Sequence, residues 1–114
     1  QTSDLDLPMA DGLDDRAYLQ SVGDVLPTLL DEQQPDLVLY NAGVDPHRND
    51  RLGKLALSDQ GLLQRDHLVF DACLRRNIPV ASVIGGGYDT IEALVERHAL
   101  VFRAATDQAR LHGL

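Results

Sequence analysis

The spacing of apolar residues predicts a β-α-β-α order from Pro35 onward. Two short, nearly continuous apolar runs, at 36–42 and 78–84, are typical of strands that are buried on both faces of a parallel sheet. Between and after them, apolar residues recur at helical spacing, which predicts helices from Ser58 to Asn77 and from Asp89 to about Ala109. The fold class is therefore α/β with parallel strands.

An upstream stretch also keeps helical spacing and predicts a helix from about Asp14 to Glu32. Pro27 lies inside this stretch, so we expect a kink or a break there. Ser58 is the expected N-cap of the next helix, and Asp89 with Glu92 three residues later resembles the capping box that begins the last one.

Two strands and three helices make a thin structure, because strands buried on two faces need more helices and more strands beside them. The chain also opens on Gln1 rather than on methionine. We therefore expect a slice of a larger α/β fold, with processing or truncation as the origin of the chain.

Composition narrows the class of protein. The 114 residues are 44% hydrophobic and 25% charged, which is typical of one globular domain. The formal net charge of −8 argues against direct contact with nucleic acid, and no apolar run approaches the roughly 18 residues of a membrane span. A single cysteine, Cys73, excludes a disulfide within the chain and fits a reducing compartment, so we expect a cytoplasmic protein.

The loop after the first strand holds one set of candidate residues. Ligands of open parallel sheets bind beyond the carboxyl ends of the strands, and Asp45 and His47 follow such an end as candidate metal ligands. The alternative is that Asp45 with the following proline begins a turn, and that Asp50 and Arg51 form a structural pair.

The loop after the second strand contains three glycines followed by Tyr88. The glycines permit a ligand to approach the backbone, and the phenol could donate a hydrogen bond to a developing oxyanion. A tight strand-to-helix turn and a phosphate held at the helix start are alternatives, although the run matches no nucleotide-binding motif.

Three other residues are predicted to serve packing. His67 and His98 lie on the apolar stripes of their helices, so we interpret them as packed histidines with satisfied hydrogen bonds. Cys73 is interpreted as an inert core thiol.

Together, four motifs resemble the C-terminal part of the histone deacetylase superfamily, and most of all its class IV branch and bacterial relatives. The resemblance runs from Ser3 to about Ala105. The motifs, in chain order, are Tyr-Asn-Ala-Gly-Val-Asp45, Asp50-Arg-Leu-Gly53, the helical pair Arg65-Asp66, and Gly-Gly-Gly-Tyr88.

The resemblance implies the three-layer fold of the arginase-deacetylase type, with residues 1–114 as the C-terminal part of a single deacetylase domain. It also implies a zinc-dependent amide hydrolase that acts on acyl-lysine or a related acylated amine. Zinc would act as the Lewis acid on the substrate carbonyl.

Individual roles follow from the same resemblance. Asp45 corresponds to one of three zinc ligands, and Tyr88 to the residue that hydrogen-bonds the substrate carbonyl. Gly86 and Gly87 are expected to contact the substrate, while a further pair, Asp50 and Arg51, is expected to have a structural role near the site.

The family also needs an Asp-x-His ligand pair and a His-His base pair from upstream. No His-His pair occurs in this sequence. Asp45-Pro-His47 matches Asp-x-His in letters, but it occupies the third-ligand motif, so we do not count it as the upstream ligand pair. We therefore expect the isolated chain to be inactive, to hold an incomplete zinc site and to self-associate. The alternative function is a stand-alone α/β binding or interaction module without catalysis.

Overall fold

The computed structural model describes residues 4–114, so the Ser3 end of the resemblance lies outside the described residues. The α/β class is confirmed. The elements in chain order are α1 (Asp15–Gln33), β1 (Val38–Asn41), α2 (Asp59–Leu74), β2 (Val80–Val83) and α3 (Ile91–Leu111).

The two strands pair in parallel, in a register that runs from Val38 opposite Val80 to Asn41 opposite Val83. One face of this pair carries the core, in which all three helices take part. The core side chains include Leu30 of α1, Tyr40 and Val80 of the strands, Phe70 of α2 and Val101 of α3.

The opposite face of the sheet is open among residues 4–114. Leu39 is 78% exposed and Val83 is 60% exposed. The prediction of strands buried on both faces is therefore not met within the described residues, which form two layers, one of helices and one of sheet.

The helix starts follow from local hydrogen bonds. Asp14 caps α1 by accepting from the amide of Ala17, and Ser58 caps α2 as predicted. The predicted capping box at Asp89 is wrong, because the Thr90 hydroxyl caps α3 and helical geometry begins one residue after it.

Helix α1 continues through Pro27, so a break there is wrong, while the alternative of a kink stays a prediction. The proline removes one backbone donor, but Leu26 and Leu30 on either side of it pack into the core with Ala72 and Cys73. Burial of these side chains holds the helix together across the missing hydrogen bond.

Helix α2 ends at Leu74, three residues before the predicted end. Asn77 takes the left-handed conformation at φ 56°, and the amide of Ile78 donates to the carbonyl of Cys73 at 2.9 Å. This closure reverses the chain and starts it toward β2. None of the helices in residues 4–114 has the length and apolar character needed to cross a membrane.

Candidate active site

The two loops that follow β1 and β2 meet at one edge of the sheet. We call residues 42–57 the first loop and residues 84–90 the glycine loop. Asp50 and Arg51 of the first loop both hydrogen-bond the backbone of Tyr88 in the glycine loop. The parallel pairing of the strands brings the two loops together, since their carboxyl ends share an edge.

Asp45 presents a partly buried carboxylate beside the glycine loop. A Cβ atom added to Gly86 would lie 2.8 Å from its Oδ1 atom, and one added to Gly43 would lie 2.9 Å from the same oxygen. Gly86 also has φ of +66°, which disfavours a side chain. The side chain of Asp45 forms no hydrogen bond or ion pair with residues 4–114. Its oxygens are therefore available to a ligand.

His47 is turned away from this carboxylate. Its Nε2 atom lies 2.8 Å from Oδ1 of Asp59, and its Nδ1 atom accepts from the amide of Asn49 at 3.1 Å. His47 is 4% exposed, and burial, reinforced by the positive charge of Arg97, lowers the pKa of the imidazole. Since both ring nitrogens are engaged, the structure does not support His47 as a metal ligand.

Asp50 and Arg51 contact the same partner rather than each other. Oδ2 of Asp50 accepts from the amide of Tyr88 at 2.6 Å, while the amide of Arg51 donates to the carbonyl of Tyr88 at 2.9 Å. Nε of Arg51 donates to the same carbonyl at 3.3 Å. The alternative in which Asp50 and Arg51 pair with each other is therefore not found among the described residues.

Tyr88 thus has a fixed backbone and an accessible side chain, which is 46% exposed. The next residue, Asp89, accepts from the amide of Thr90 and from Nη2 of Arg97 at 2.8 Å. These two bonds, the first of them the stronger influence, lower the pKa of Asp89. A carboxylate therefore already lies at the start of α3, which does not support the alternative of a phosphate site there.

Gly87 lets the glycine loop pass close to the core. It has φ of +103°, and a Cβ atom there would lie 2.7 Å from Val44 and 2.8 Å from Leu94. Contact of Gly86 and Gly87 with a substrate stays a prediction.

Arg65-Asp66 is one of the motifs of the family resemblance, but the sequence did not predict that this pair supports the first loop. Arg65 and Asp66 are both buried on α2, and Nε of Arg65 donates to Oδ1 of Asp66 at 2.9 Å. The Tyr40 hydroxyl donates to the same oxygen, and Nη1 of Arg65 donates to the carbonyl of Gly43 at 2.6 Å. Burial raises the pKa of the Tyr40 phenol far above its usual value. The signal in the sequence was an Arg-Asp pair on a helix whose neighbours are apolar.

Of the three residues assigned to packing, two behave as predicted. Nδ1 of His67 lies 2.9 Å from Nε2 of Gln108, and burial raises the pKa of the Cys73 thiol. The prediction for His98 is wrong in one respect, because its Nδ1 atom is buried with no hydrogen-bond partner among residues 4–114.

A zinc site cannot be completed from the described residues. No group of three or more His, Cys, Asp or Glu side chains in residues 4–114 is placed to hold a metal ion. Asp45, with its unpaired carboxylate oxygens, fits the role of one oxygen ligand.

Comparison with known proteins agrees with this architecture. The histone deacetylase domain family matches residues 1–105. An uncharacterized protein of Picosynechococcus sp. is 55% identical over 108 residues, covering 94% of this chain and 36% of that protein. Histone deacetylase 2 of Arabidopsis thaliana is 39% identical over 71 residues, covering 62% of this chain and 18% of that protein. The chain thus spans about a third or less of the length of these relatives.

Solved structures give the same result. Acetylpolyamine aminohydrolase from Burkholderia pseudomallei matches with a TM-score of 0.74 and 30% identity, over 89% of this chain and 28% of that one. A histone deacetylase homologue in complex with SAHA matches with a TM-score of 0.65 and 25% identity, over 96% of this chain and 26% of that one. The matched fold is that of the arginase-deacetylase type, and the chain belongs to the histone deacetylase domain family.

Proposed function

We propose that this chain forms one side of the active site of a zinc-dependent deacylase that hydrolyses an acylated amine such as acyl-lysine. One observation carries the proposal: the unpaired carboxylate of Asp45 and the backbone-anchored Tyr88 lie on loops that meet at the same sheet edge. Membership of the family makes a hydrolase the expected activity of the whole protein.

In this proposal Asp45 contributes an anionic oxygen ligand to zinc. The bound metal would polarise the substrate carbonyl as a Lewis acid. Tyr88 donates a hydrogen bond from its phenolic hydroxyl to the carbonyl oxygen, and this hydrogen bond strengthens as negative charge develops on that oxygen. Gly86 and Gly87 let the substrate approach the backbone beside Tyr88.

The remaining ligands and the general base must come from outside this chain. Residues 4–114 supply Asp45 as a ligand and gather no cluster of three. We therefore propose that the chain works as part of a longer deacetylase domain and is inactive alone. A cytoplasmic location stays a prediction that rests on the single cysteine.

The substrate class is supported by the compared structures, one of which is an acetylpolyamine aminohydrolase and another a histone deacetylase homologue complexed with SAHA. The test is to assay the full-length parent protein on an acetyl-lysine peptide and on an acetylated polyamine, with zinc and after chelation. We expect zinc-dependent release of acetate from at least one of them. Absence of hydrolysis of both substrates by folded, zinc-supplied protein would refute the proposal.

A further inference from the structure

We propose that Asp50 is a positioning residue that sets the location of the Tyr88 phenol, and so controls turnover without touching substrate or metal. This inference rests on the proposed function of Tyr88. The inference goes beyond that function because it assigns the position of the phenol to the buried carboxylate of Asp50 in the first loop.

The two oxygens of Asp50 have separate partners. Oδ1 accepts from the amides of Leu52 and Gly53, at 3.0 and 2.9 Å, and so closes the turn of its own loop. Oδ2 accepts from the amide of Tyr88 at 2.6 Å. The side chain is therefore a fixed link between a closed turn and the residue that follows the glycines.

Tyr88 needs such a link because of the residues before it. Gly86 and Gly87 both adopt positive φ, where glycine has far more backbone freedom than other residues. A chain that leaves two such glycines has little local restraint on its direction. The bond from Tyr88 to Asp50, with the two donated by Arg51 to the Tyr88 carbonyl, supplies that restraint on both sides of the residue.

Asp50→Asn separates the two functions of the carboxylate. An asparagine keeps one acceptor oxygen, which can serve the amides of Leu52 and Gly53, and then points its NH₂ group at the amide of Tyr88. Donor then faces donor, and the bond to Tyr88 is lost. In the full-length parent protein we expect kcat to fall about 10- to 100-fold, with KM and zinc content nearly unchanged.

A double-mutant cycle with Tyr88→Phe tests whether Asp50 acts through the phenol. If it does, Asp50→Asn has little further effect on kcat once the hydroxyl is absent. Losses that multiply in the double variant would overturn the proposal. Asp36→Asn, which removes an exposed carboxylate at the other end of the sheet, is the matched control for the change of charge.

Hydrogen exchange gives a second readout that does not depend on activity. In the folded parent protein, Asp50→Asn should raise amide exchange in residues 85–90, and Asp36→Asn should leave it unchanged. Arg51→Ala removes the hydrogen bond from Nε of Arg51 to the Tyr88 carbonyl but keeps the one from the Arg51 amide. It should give a smaller increase in amide exchange, and it is the variant to measure if Asp50→Asn does not fold. Unchanged exchange in the folded Asp50→Asn variant, or in Arg51→Ala when it alone folds, overturns the inference. An inactive wild-type protein overturns the proposed function instead.

Discussion

The guanidinium of Arg65 donates from Nη1 to the carbonyl of Gly43 at 2.6 Å, which ties helix α2 to the loop that carries Asp45. The same guanidinium pairs with the buried carboxylate of Asp66, which also accepts from the hydroxyl of Tyr40. Strand β1, helix α2 and the first loop are thus joined by one buried polar network. The polar groups of this network form hydrogen bonds with one another, and a buried polar network is tolerated in a core only when its groups are paired in this way.

Removing the cation from this network should be far more costly than removing the phenol. Arg65→Leu leaves Asp66 as a buried charge without its ionic partner, so we expect a loss of about 3–5 kcal/mol in the free energy of unfolding. Tyr40→Phe removes one hydrogen bond while Arg65 stays, and should cost about 1 kcal/mol. Urea denaturation of the parent protein measures both. Equal costs for the two variants would contradict this account of the network.

The order of helices and strands was predictable because the burial of one face gives apolar residues a regular spacing along the sequence. Apolar residues repeat at helical spacing in α2 and α3 and form nearly continuous runs around β1 and β2. The continuity of α1 across Pro27 was not predictable, because it depends on the packing of Leu30 against Ala72 and Cys73 of another helix. Local sequence preferences predict a kink or a break at Pro27, whereas packing against another helix keeps α1 continuous.

The site was predictable to the level of the sheet edge. The placement of Asp45 and Tyr88 on loops that meet at one end of the sheet follows from parallel strands, but the bond from the amide of Tyr88 to Asp50 does not. A hydrogen bond donated by a backbone amide cannot be predicted from the pattern of side chains, because every residue except proline carries that donor. In the same way, the partner of His47 is Asp59 on the next helix, a contact that the spacing did not predict, and the structure does not support His47 as a candidate metal ligand.

Tyr88→Phe should lower turnover and leave the metal in place. The phenol is proposed to touch the substrate and not the zinc, and loss of one oxyanion donor costs roughly 10²- to 10³-fold in rate. Steady-state kinetics with metal analysis of the parent protein measures both quantities. Full activity in this variant would remove Tyr88 from the mechanism.

Stability should decline as the pH falls through about 6.5, in part because of His47. Burial lowers the pKa of this imidazole in the folded protein, while in the unfolded chain it stays near 6.5. Below that pH the unfolded state binds a proton that the folded state resists, so the free energy of unfolding decreases. Denaturation at pH 5.5 and pH 7.5 should show a smaller difference for His47→Asn than for the wild type. Identical differences would contradict the assignment.

The isolated 114-residue chain should self-associate and should neither hydrolyse acyl-lysine nor hold zinc tightly. Leu39 and Val83 on the open face of the sheet are largely exposed, and each of the two described strands has a free edge. The net charge of −8 opposes association but does not cover this apolar face. Analytical ultracentrifugation measures the association. A stable, monodisperse monomer would favour the alternative of a stand-alone binding module.

The most direct test of the central claim is the zinc content of the parent protein with Asp45→Asn. In the proposed site of three protein ligands, the variant would remove an anionic ligand and so weaken metal binding. We predict close to one zinc per chain in the wild type and in the control Asp36→Asn, and a large loss of zinc together with activity in Asp45→Asn. Unchanged zinc stoichiometry and activity in Asp45→Asn would contradict the assignment of this carboxylate as a metal ligand.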